Sequence, residues 1–314
     1  MNSSEPSKRL AIFADRWHVT VDRLVETPSS LLGFGARGDL PVVLKIARLE
    51  SDEADVGSVV AAFGGRGLVR VYEHETGAAL FERLIPGTPL VELVRRDDDL
   101  AATRILAELA GALHDVVRPV AGFVTVEEWG RGFERYRNRG DRQIPTATVE
   151  EASDRYAKLC STQGPRRLLH GDLHHYNTLA DRTRGWIAVD PKGVVGELEF
   201  ELAAALRNPR GVRESYATTS AVDRRIECFG ERLDVDVAPV VEWAYAQAVR
   251  GRRSRVLRRS RADARGGAPA VARLGDAVVA GVASNSDITY HAHAGAFDSP
   301  AVLAPATAIR STEP

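Results

Sequence analysis

The segment HGDLHHYN, residues 170–177, brings together residue types that can carry out chemistry. Asp172 and Asn177 put a carboxylate and an amide oxygen on one loop, and Asp190 adds a second carboxylate after the next short strand. Phosphoryl transfer from ATP needs a carboxylate that orients the attacking hydroxyl and accepts its proton, together with oxygen ligands for Mg²⁺. The types and spacing of these residues match those needs.

A lysine inside an apolar strand is the second such feature. Lys45 lies within Val42–Ile46 and is the only lysine between positions 9 and 157. A lysine in an otherwise buried strand needs a partner. Glu53, on a helix predicted over residues 50–63, is placed to pair with it and hold it against the phosphates of a nucleotide, whose charge a lysine must neutralise.

Other interpretations of these residues stay open. One is a zinc- or manganese-dependent hydrolase with a cluster drawn from His170, Asp172, His174, His175 and Asp190. It leaves Lys45, Glu53 and Asn177 without a role and is the least favoured. His170 is expected to stabilise the loop by hydrogen bonding, whereas His174 and His175 either pack the loop, face solvent or contact the acceptor. Glu197, Glu199 and Glu201 either face a guanidinium-bearing substrate or form an exposed helix start.

The elements around these residues predict an α+β fold with two lobes. Strand-like runs in residues 1–84 predict a β-rich N-terminal lobe, and residues 85–249 read as a mainly helical lobe with helices over 99–115, 149–161 and 240–249. Pro86–Pro89 is predicted to be a break and the hinge between the lobes. A cleft between two such lobes commonly binds a ligand.

Composition and charge exclude some classes of protein. The 314 residues carry a net charge of −1, but residues 250–314 hold ten arginines and five acids, so that segment is +5 and the first 249 residues are −6. An acidic body disfavours nucleic acid as the partner and suits a cationic small molecule. No apolar run approaches the roughly 18 residues that cross a bilayer, and the N-terminus lacks a signal-peptide pattern. With two cysteines, the expectation is a cytoplasmic protein without a membrane partner.

Taken together, these motifs resemble the aminoglycoside and hydroxyurea antibiotic resistance kinases, within which the streptomycin 6-phosphotransferases read HGDLHHxN and then IDPxGLxGE. The resemblance runs from about Trp17 to about Ala248. It implies a protein-kinase-like fold that uses ATP and Mg²⁺, and the acceptor would be a cationic aminoglycoside, most specifically the 6-hydroxyl of streptomycin. The alternatives are hydroxyurea or another small hydroxylated molecule as acceptor, and a catalytically impaired relative.

The resemblance also implies roles for nine residues. Asp172 would be the catalytic base, and Asn177 and Asp190 the magnesium ligands. The nucleotide would be bound by Lys45, which pairs with Glu53, by Ser29 and Ser30 in the nucleotide loop, and by the backbone from Glu82 to Leu84 at the adenine.

Three departures from the family pattern affect these expectations. Glu201 stands where related kinases usually carry an aspartate that braces the catalytic loop, so the longer carboxylate is expected to misplace it. Three glycines, Gly33, Gly35 and Gly38, are expected to loosen the nucleotide loop. After Val249 an arginine-rich stretch replaces the family's closing helix, which predicts a disordered tail over residues 250–314 with a shifted reading frame or a replaced end.

Overall fold

The structure is a computed structural model, and it describes residues 5–48, 53–116, 120–138, 144–209, 211–212 and 218–250. Apart from Arg250, the predicted C-terminal tail lies outside the described residues.

The N-terminal part is a sheet with a helix on each face. The sheet has five antiparallel strands in the order β1-β2-β3-β5-β4. Its elements are α1 (Glu5–Arg16), β1 (Thr20–Glu26), β2 (Ser30–Arg37), β3 (Leu40–Ala47), α2 (Val56–Phe63), β4 (Val71–Glu75) and β5 (Ala78–Glu82).

The alternation of side chains along β3 places the predicted lysine. Leu44 and Ile46 are fully buried on the face covered by α1, where they join a core with Leu10 and Phe13. Because successive residues of a strand point to opposite faces, Lys45 projects from the other face, on the side of α2. The strand therefore fixes the lysine backbone by burying its two apolar neighbours.

The glycines expected in the nucleotide loop belong instead to β2 and its turn. Gly33 and Gly35 lie within β2, and Gly38 follows the strand with a φ of +61°. At Gly35 a Cβ atom would lie 2.0 Å from the carbonyl oxygen of Thr20, beside a β-bulge in β1. The expectation of a loosened loop was therefore wrong at these positions, because the close approach of β1 to β2 requires a glycine at Gly35.

The C-terminal part is mainly helical and contains two small three-stranded sheets, ordered β10-β9-β6 and β7-β11-β8. Its elements are β6 (Pro86–Pro89), α3 (Val91–Arg95), α4 (Asp99–His114), β7 (Val124–Thr125), α5 (Val126–Gly130), α6 (Gly132–Asn138), α7 (Thr146–Ser161), β8 (Arg167–Leu169), β9 (Thr178–Asp181), β10 (Gly185–Ala188), β11 (Val194–Gly196), α8 (Leu198–Leu206), α9 (Thr219–Leu233) and α10 (Val237–Arg250).

Edge-to-face aromatic packing joins three of these helices. The ring of Trp243 in α10 lies 4.9 Å from that of Tyr156 in α7 and 5.0 Å from that of Phe200 in α8. Trp243 is fully buried, so α8 is held firmly against the helical core. This matters for the site because α8 carries Glu201.

Two local predictions were wrong. Residues 86–89 are not a simple break: they form β6, which pairs with β9 in the C-terminal part. Helix α2 begins at Val56 rather than near residue 50, so Glu53 lies in the turn before it. The α+β architecture itself, with a β-rich N-terminal part and a helical C-terminal part, is confirmed.

Candidate active site

The loop from His170 to Asn177 connects β8 to β9, and its backbone is bonded to a side chain of α8. Glu201 accepts hydrogen bonds from the backbone N–H of Gly171 at 3.1 Å and from that of Leu173 at 3.3 Å. These two residues flank Asp172, so Glu201 fixes the backbone on both sides of it. A Cβ at Gly171, whose φ is +80°, would come within 2.8 Å of Val194, so this turn needs glycine.

Glu201 therefore reaches the loop that it was expected to misplace. Burial raises the pKa of its carboxyl to about 7, although the N–H groups of Gly171 and Leu173 act in the opposite direction. Glu197 is also buried; its carboxylate accepts from the Trp243 indole N–H at 2.6 Å and from Gly164 N–H at 2.7 Å. Neither alternative considered for these glutamates holds for Glu197 or Glu201: both are buried and bind interior donors, and they neither form an exposed helix start nor face a substrate.

The three histidines of the loop are all buried and serve its structure. His170 Nδ1 accepts from Asp172 N–H at 3.3 Å, so its Nε2–H donates to the Val189 carbonyl at 2.9 Å. Burial lowers the pKa of His170 to about 4. His174 Nδ1 accepts from Tyr176 N–H at 3.2 Å. Burial also holds the pKa of His175 well below its ordinary value.

These contacts argue against the metal-hydrolase interpretation. Within the part of the chain that the structure describes, no three His, Cys, Asp or Glu side chains are grouped so that they could hold a metal ion. The ring nitrogens of His170 and the Nδ1 atom of His174 are engaged with the backbone. Packing of the loop, one of the roles considered for His174 and His175, is what the structure shows.

Asp172 is oriented by its neighbours and stays ionised. Burial by itself would raise the pKa of Asp172, but His174, Arg207 and Lys192 hold it well below its usual range. His174 Nε2 lies 3.6 Å from Asp172 Oδ2. At neutral pH the group is therefore a carboxylate, the form that can accept a proton.

Asn177 and Asp190 lie where the loop from His170 to Asn177 meets the segment that follows β10. Asn177 donates its side-chain amide N–H to the Asp172 carbonyl at 3.0 Å, which leaves the amide oxygen as its acceptor atom. The Val189 N–H donates to the Asn177 carbonyl at 2.8 Å, so the strand end before Asp190 is attached to the catalytic loop. Asp190 has a left-handed backbone with a φ of +61°, a conformation that costs energy in non-glycine residues and is concentrated at functional sites.

Lys45 forms the ion pair that was predicted and a second one that was not. Its Nζ lies 2.8 Å from Glu53 Oε2 and 2.5 Å from Asp190 Oδ1. Burial alone would lower the pKa of Lys45, but Asp190 and Glu53 raise it above its ordinary value. Burial and Asp190 push the pKa of Glu53 upward, but Lys45 and Lys192 bring it below its ordinary value. Both partners of the pair are therefore charged.

Lys192 is a site residue without a role in the sequence analysis. Its Nζ lies 2.9 Å from Glu53 Oε1, so each carboxylate oxygen of Glu53 contacts one lysine. Burial would lower the pKa of Lys192, but Asp190, Glu53 and Asp172 raise it above its ordinary value. The sequence did contain a signal for this residue, because it is one of only four lysines in the chain and lies two positions after Asp190.

All nine residues expected at the site line one cavity of about 400 Å³, a volume suited to a small-molecule ligand. They are Ser29, Ser30, Lys45, Glu53, Glu82, Leu84, Asp172, Asn177 and Asp190. The cavity runs from the turn between β1 and β2, over β3 and the end of β5, to the catalytic loop. The sequence therefore identified residues that lie together, and their individual roles stay predictions.

The two serines differ in their surroundings. Thr27 Oγ1 accepts from the backbone N–H groups of Ser30 at 2.8 Å and Ser29 at 3.3 Å, which shapes the turn. Ser30 is buried and its hydroxyl lies 2.9 Å from that of Thr27. Ser29 is less buried and is the serine with more freedom to meet a ligand.

The other end of the cavity is formed by the segment after β5. The Glu82 side chain accepts from the Arg70 backbone N–H at 2.7 Å and pairs with Arg184. The backbone N–H of Glu82 donates to Arg70 and that of Arg83 to Pro41. Leu84 is buried and lines the cavity. Leu84 therefore contributes to this end of the cavity, and the adenine contact expected of the backbone from Glu82 to Leu84 stays a prediction.

The donor set fits a magnesium ion. The Asp190 carboxylate and the Asn177 amide oxygen are hard oxygen ligands of the kind that Mg²⁺ takes. The Lys45 ammonium lies against Asp190 Oδ1, which shows that this carboxylate accommodates a cation. Asn177 and Asp190 are accordingly the residues that would hold the metal.

A carboxylate on a braced loop, two oxygen ligands, and a lysine of a five-stranded sheet paired with a glutamate define a phosphotransferase of protein-kinase-like fold. The crystal structure of aminoglycoside-3'-phosphotransferase of type VIII is similar to this chain, with a TM-score of 0.54 at 18% identity. The match covers 78% of this chain and 99% of that one.

The chain belongs to the aminoglycoside/hydroxyurea antibiotic resistance kinase family, whose model matches residues 16–259. Streptomycin 3''-kinase of Klebsiella pneumoniae is 33% identical over 199 residues, covering 62% of this chain and 71% of that protein. Streptomycin 6-kinase of Streptomyces griseus is 31% identical over 252 residues, covering 74% and 77%. The resemblance seen in the sequence is thereby confirmed, and the matched region extends past Val249. In the described ranges, no helix combines the length and apolarity needed to span a membrane.

Proposed function

We propose that this protein transfers the γ-phosphoryl group of ATP to a hydroxyl of an aminoglycoside, and that the acceptor is the 6-hydroxyl of streptomycin. The observation that supports this most is the convergence of Asp172, Asn177, Asp190 and Lys45 on one cavity. Membership of the family and the names of its relatives support the choice of acceptor. The net negative charge of the first 249 residues suits a cationic drug.

In the proposed reaction, Asp172 accepts the proton of the acceptor hydroxyl as its oxygen bonds to the γ-phosphorus. The bond between that phosphorus and the bridging oxygen breaks, and its electron pair leaves on ADP. Glu201 and His174 keep Asp172 in place during this step. Lys45, positioned by Glu53, neutralises the phosphates that are not transferred. When bound at Asn177 and Asp190, Mg²⁺ supplies further neutralisation of phosphate charge.

Phosphorylation would inactivate the drug by weakening its binding to RNA. A phosphate adds about two negative charges at neutral pH, and streptomycin must dock on RNA. Repulsion from RNA phosphates, together with lost hydrogen bonds, would weaken that docking.

The test is mass spectrometry of streptomycin after incubation with the protein, ATP and Mg²⁺. We expect the drug to gain one phosphoryl group, and NMR of the product to place it on the 6-hydroxyl. Asp172→Asn should lower the rate by about 10²–10⁴, the usual contribution of a general base, while ATP still binds. Asp154→Asn is the matched control, because Asp154 is exposed on α7.

Different results would exclude different parts of the proposal. A phosphate on another hydroxyl would refute only the position, and near-normal turnover by Asp172→Asn would refute the assigned base. Binding of ATP without phosphorylated streptomycin would leave either another acceptor or the impaired relative considered above. Because the family description also names hydroxyurea, the same assay with hydroxyurea tests the second candidate acceptor.

A further inference from the structure

Lys192 occupies a position at the inner end of the cavity that the reaction described above does not use. It lines the cavity with Lys45, Asp172 and Asp190. Its backbone N–H donates to the His170 carbonyl at 2.6 Å, which ties its main chain to the catalytic loop. The position of its Cα is therefore fixed relative to Asp172, whereas its four-carbon side chain can extend into the cavity.

The ammonium group contacts Glu53 Oε1 at 2.9 Å. Lys192 lies two positions after Asp190 on the chain and lines the same cavity as Asp172 and Asp190. Lys45 is already shared between Glu53 Oε2 and Asp190 Oδ1. The cavity thus holds two lysines on different elements. Lys45 comes from β3 and lies between Glu53 and Asp190, and Lys192 comes from the segment that follows Asp190 and is bonded through its backbone to His170.

The location of the transferred group follows from the proposed roles. In those roles the γ-phosphoryl would lie close to both Asp172, which accepts the proton of the acceptor, and Asp190, which would hold the metal. Lys192 lies two positions after Asp190, and its backbone N–H is bonded to the carbonyl of His170, two positions before Asp172. Lys45 comes from β3 of the sheet and is better placed for the phosphates that remain on ADP.

We propose that Lys192 is a catalytic residue that binds the γ-phosphoryl oxygens of ATP and stabilises their charge during transfer, leaving Lys45 to the α- and β-phosphates. This inference rests on the proposed phosphotransferase function. As the bond from the γ-phosphorus to the bridging oxygen breaks and the bond to the acceptor oxygen forms, Lys192 stays on the three oxygens that move with phosphorus. It neither gives nor takes a proton, since Asp172 receives the one from the acceptor.

A purely structural ion pair between Lys192 and Glu53 makes a different prediction. Its loss would disturb Glu53 and, through it, Lys45, so binding of ADP and of ATP would weaken together. A lysine on the γ-phosphoryl group affects only nucleotides that carry this group. Comparison of ADP with the non-hydrolysable analogue AMP-PNP therefore separates the two roles.

The experiment is calorimetric binding of Mg·ADP and Mg·AMP-PNP to the full chain and to Lys192→Met, Lys192→Arg and the control Lys158→Met, in which an exposed lysine of α7 is changed. We expect Lys192→Met to weaken AMP-PNP binding by about 10- to 100-fold, the range for one hydrogen bond to a charged group, and to leave ADP binding within about twofold. Turnover should fall by about 10²–10³, and Lys192→Arg should restore most of both. Equal weakening of both nucleotides, or no weakening, would overturn the proposal.

A second measurement uses the unaltered protein, in case Lys192→Met does not fold. Reductive methylation followed by peptide mass spectrometry should show Lys192 protected by Mg·AMP-PNP but not by Mg·ADP, and Lys45 protected by both. Equal protection of Lys192 by the two nucleotides would refute its contact with the γ-phosphoryl group. If the unaltered protein binds neither nucleotide, the proposed function itself fails, which is a different result from binding without discrimination at Lys192.

Discussion

Replacing Glu201 with alanine removes the carboxylate that holds the backbone on both sides of Asp172. Its oxygens accept from the N–H groups of Gly171 and Leu173 at 3.1 and 3.3 Å, and the residue is only 3% exposed. A buried donor left without a partner costs about 1–3 kcal/mol, so two of them predict a loss of about 2–6 kcal/mol. This is a large part of the roughly 5–15 kcal/mol by which a typical domain is stable.

The assay is guanidinium unfolding together with steady-state kinetics of phosphoryl transfer. Glu199→Ala is the matched control, because Glu199 lies in the same helix but is only partly buried. We expect Glu201→Ala also to lower kcat by about 10²-fold, the cost of a misplacement of about 1 Å. The KM for ATP should change little, because Glu201 does not line the cavity.

The pH dependence of the same variant gives a sharper test. Burial raises the pKa of Glu201 to about 7, so the native state binds this proton more tightly than the unfolded state does. The contribution of the group to stability is then fully present below about pH 4.5 and is lost as the pH rises through 7. The destabilisation by Glu201→Ala should be larger at pH 5 than at pH 8 by about 2–3 kcal/mol. Equal stability of the Glu201→Ala and Glu199→Ala variants at pH 5 would refute the reasoning.

Three further changes test the packing around the site. His170→Asn should make stability less dependent on pH in mild acid. The pKa of His170 is lowered to about 4 by burial, so the unfolded state binds the proton at a higher pH than the native state does. The free energy of unfolding of the unaltered protein should therefore fall by about 2 kcal/mol between pH 7 and pH 5, and that of the variant should not. Arg225→Met should destabilise by about 3–5 kcal/mol, because its guanidinium pairs with buried Asp99 at 2.6 Å; chemical denaturation should show a smaller loss when Asp99→Leu is added. Gly35→Ala should lower Tm by more than Gly33→Ala does, because its Cβ would lie 2.0 Å from a backbone oxygen of β1, whereas that of Gly33 meets only side chains, at 3.2 Å.

The catalytic loop was open to prediction because its chemistry is contiguous in sequence. Asp172 and Asn177 lie on one loop with a fixed spacing, and a lone lysine in an apolar strand requires a partner whatever the fold. These local signals identified residues that the structure brings into one cavity.

Contacts between distant segments were not predictable in this way. Lys192 and Glu53 are 139 positions apart, and Glu82 and Arg184 are 102 apart. The glutamates at the start of α8 could face either a substrate or solvent as far as the sequence shows, but donors from Trp243 and from the catalytic loop hold Glu197 and Glu201 in the interior. The strand β6 has a proline at each end, which proteins tolerate in a strand at the edge of a sheet. Its pairing with β9 is a contact between distant segments, so the sequence of residues 86–89 alone did not predict it.

The charges at the inner end of the cavity suit both a free and a nucleotide-bound enzyme. A buried carboxylate without a cation is costly, and here Glu53 contacts Lys45 and Lys192 while Asp190 contacts Lys45. With Mg²⁺ at Asp190, the Lys45 ammonium would turn to the phosphates while still paired with Glu53, and Lys192 would turn to the γ-phosphoryl group. Glu53 would keep Lys45 and Asp190 would have the metal, so neither carboxylate would be left without a cation. This sharing gives Lys192 a second role in the free enzyme, where it neutralises Glu53 before the nucleotide binds.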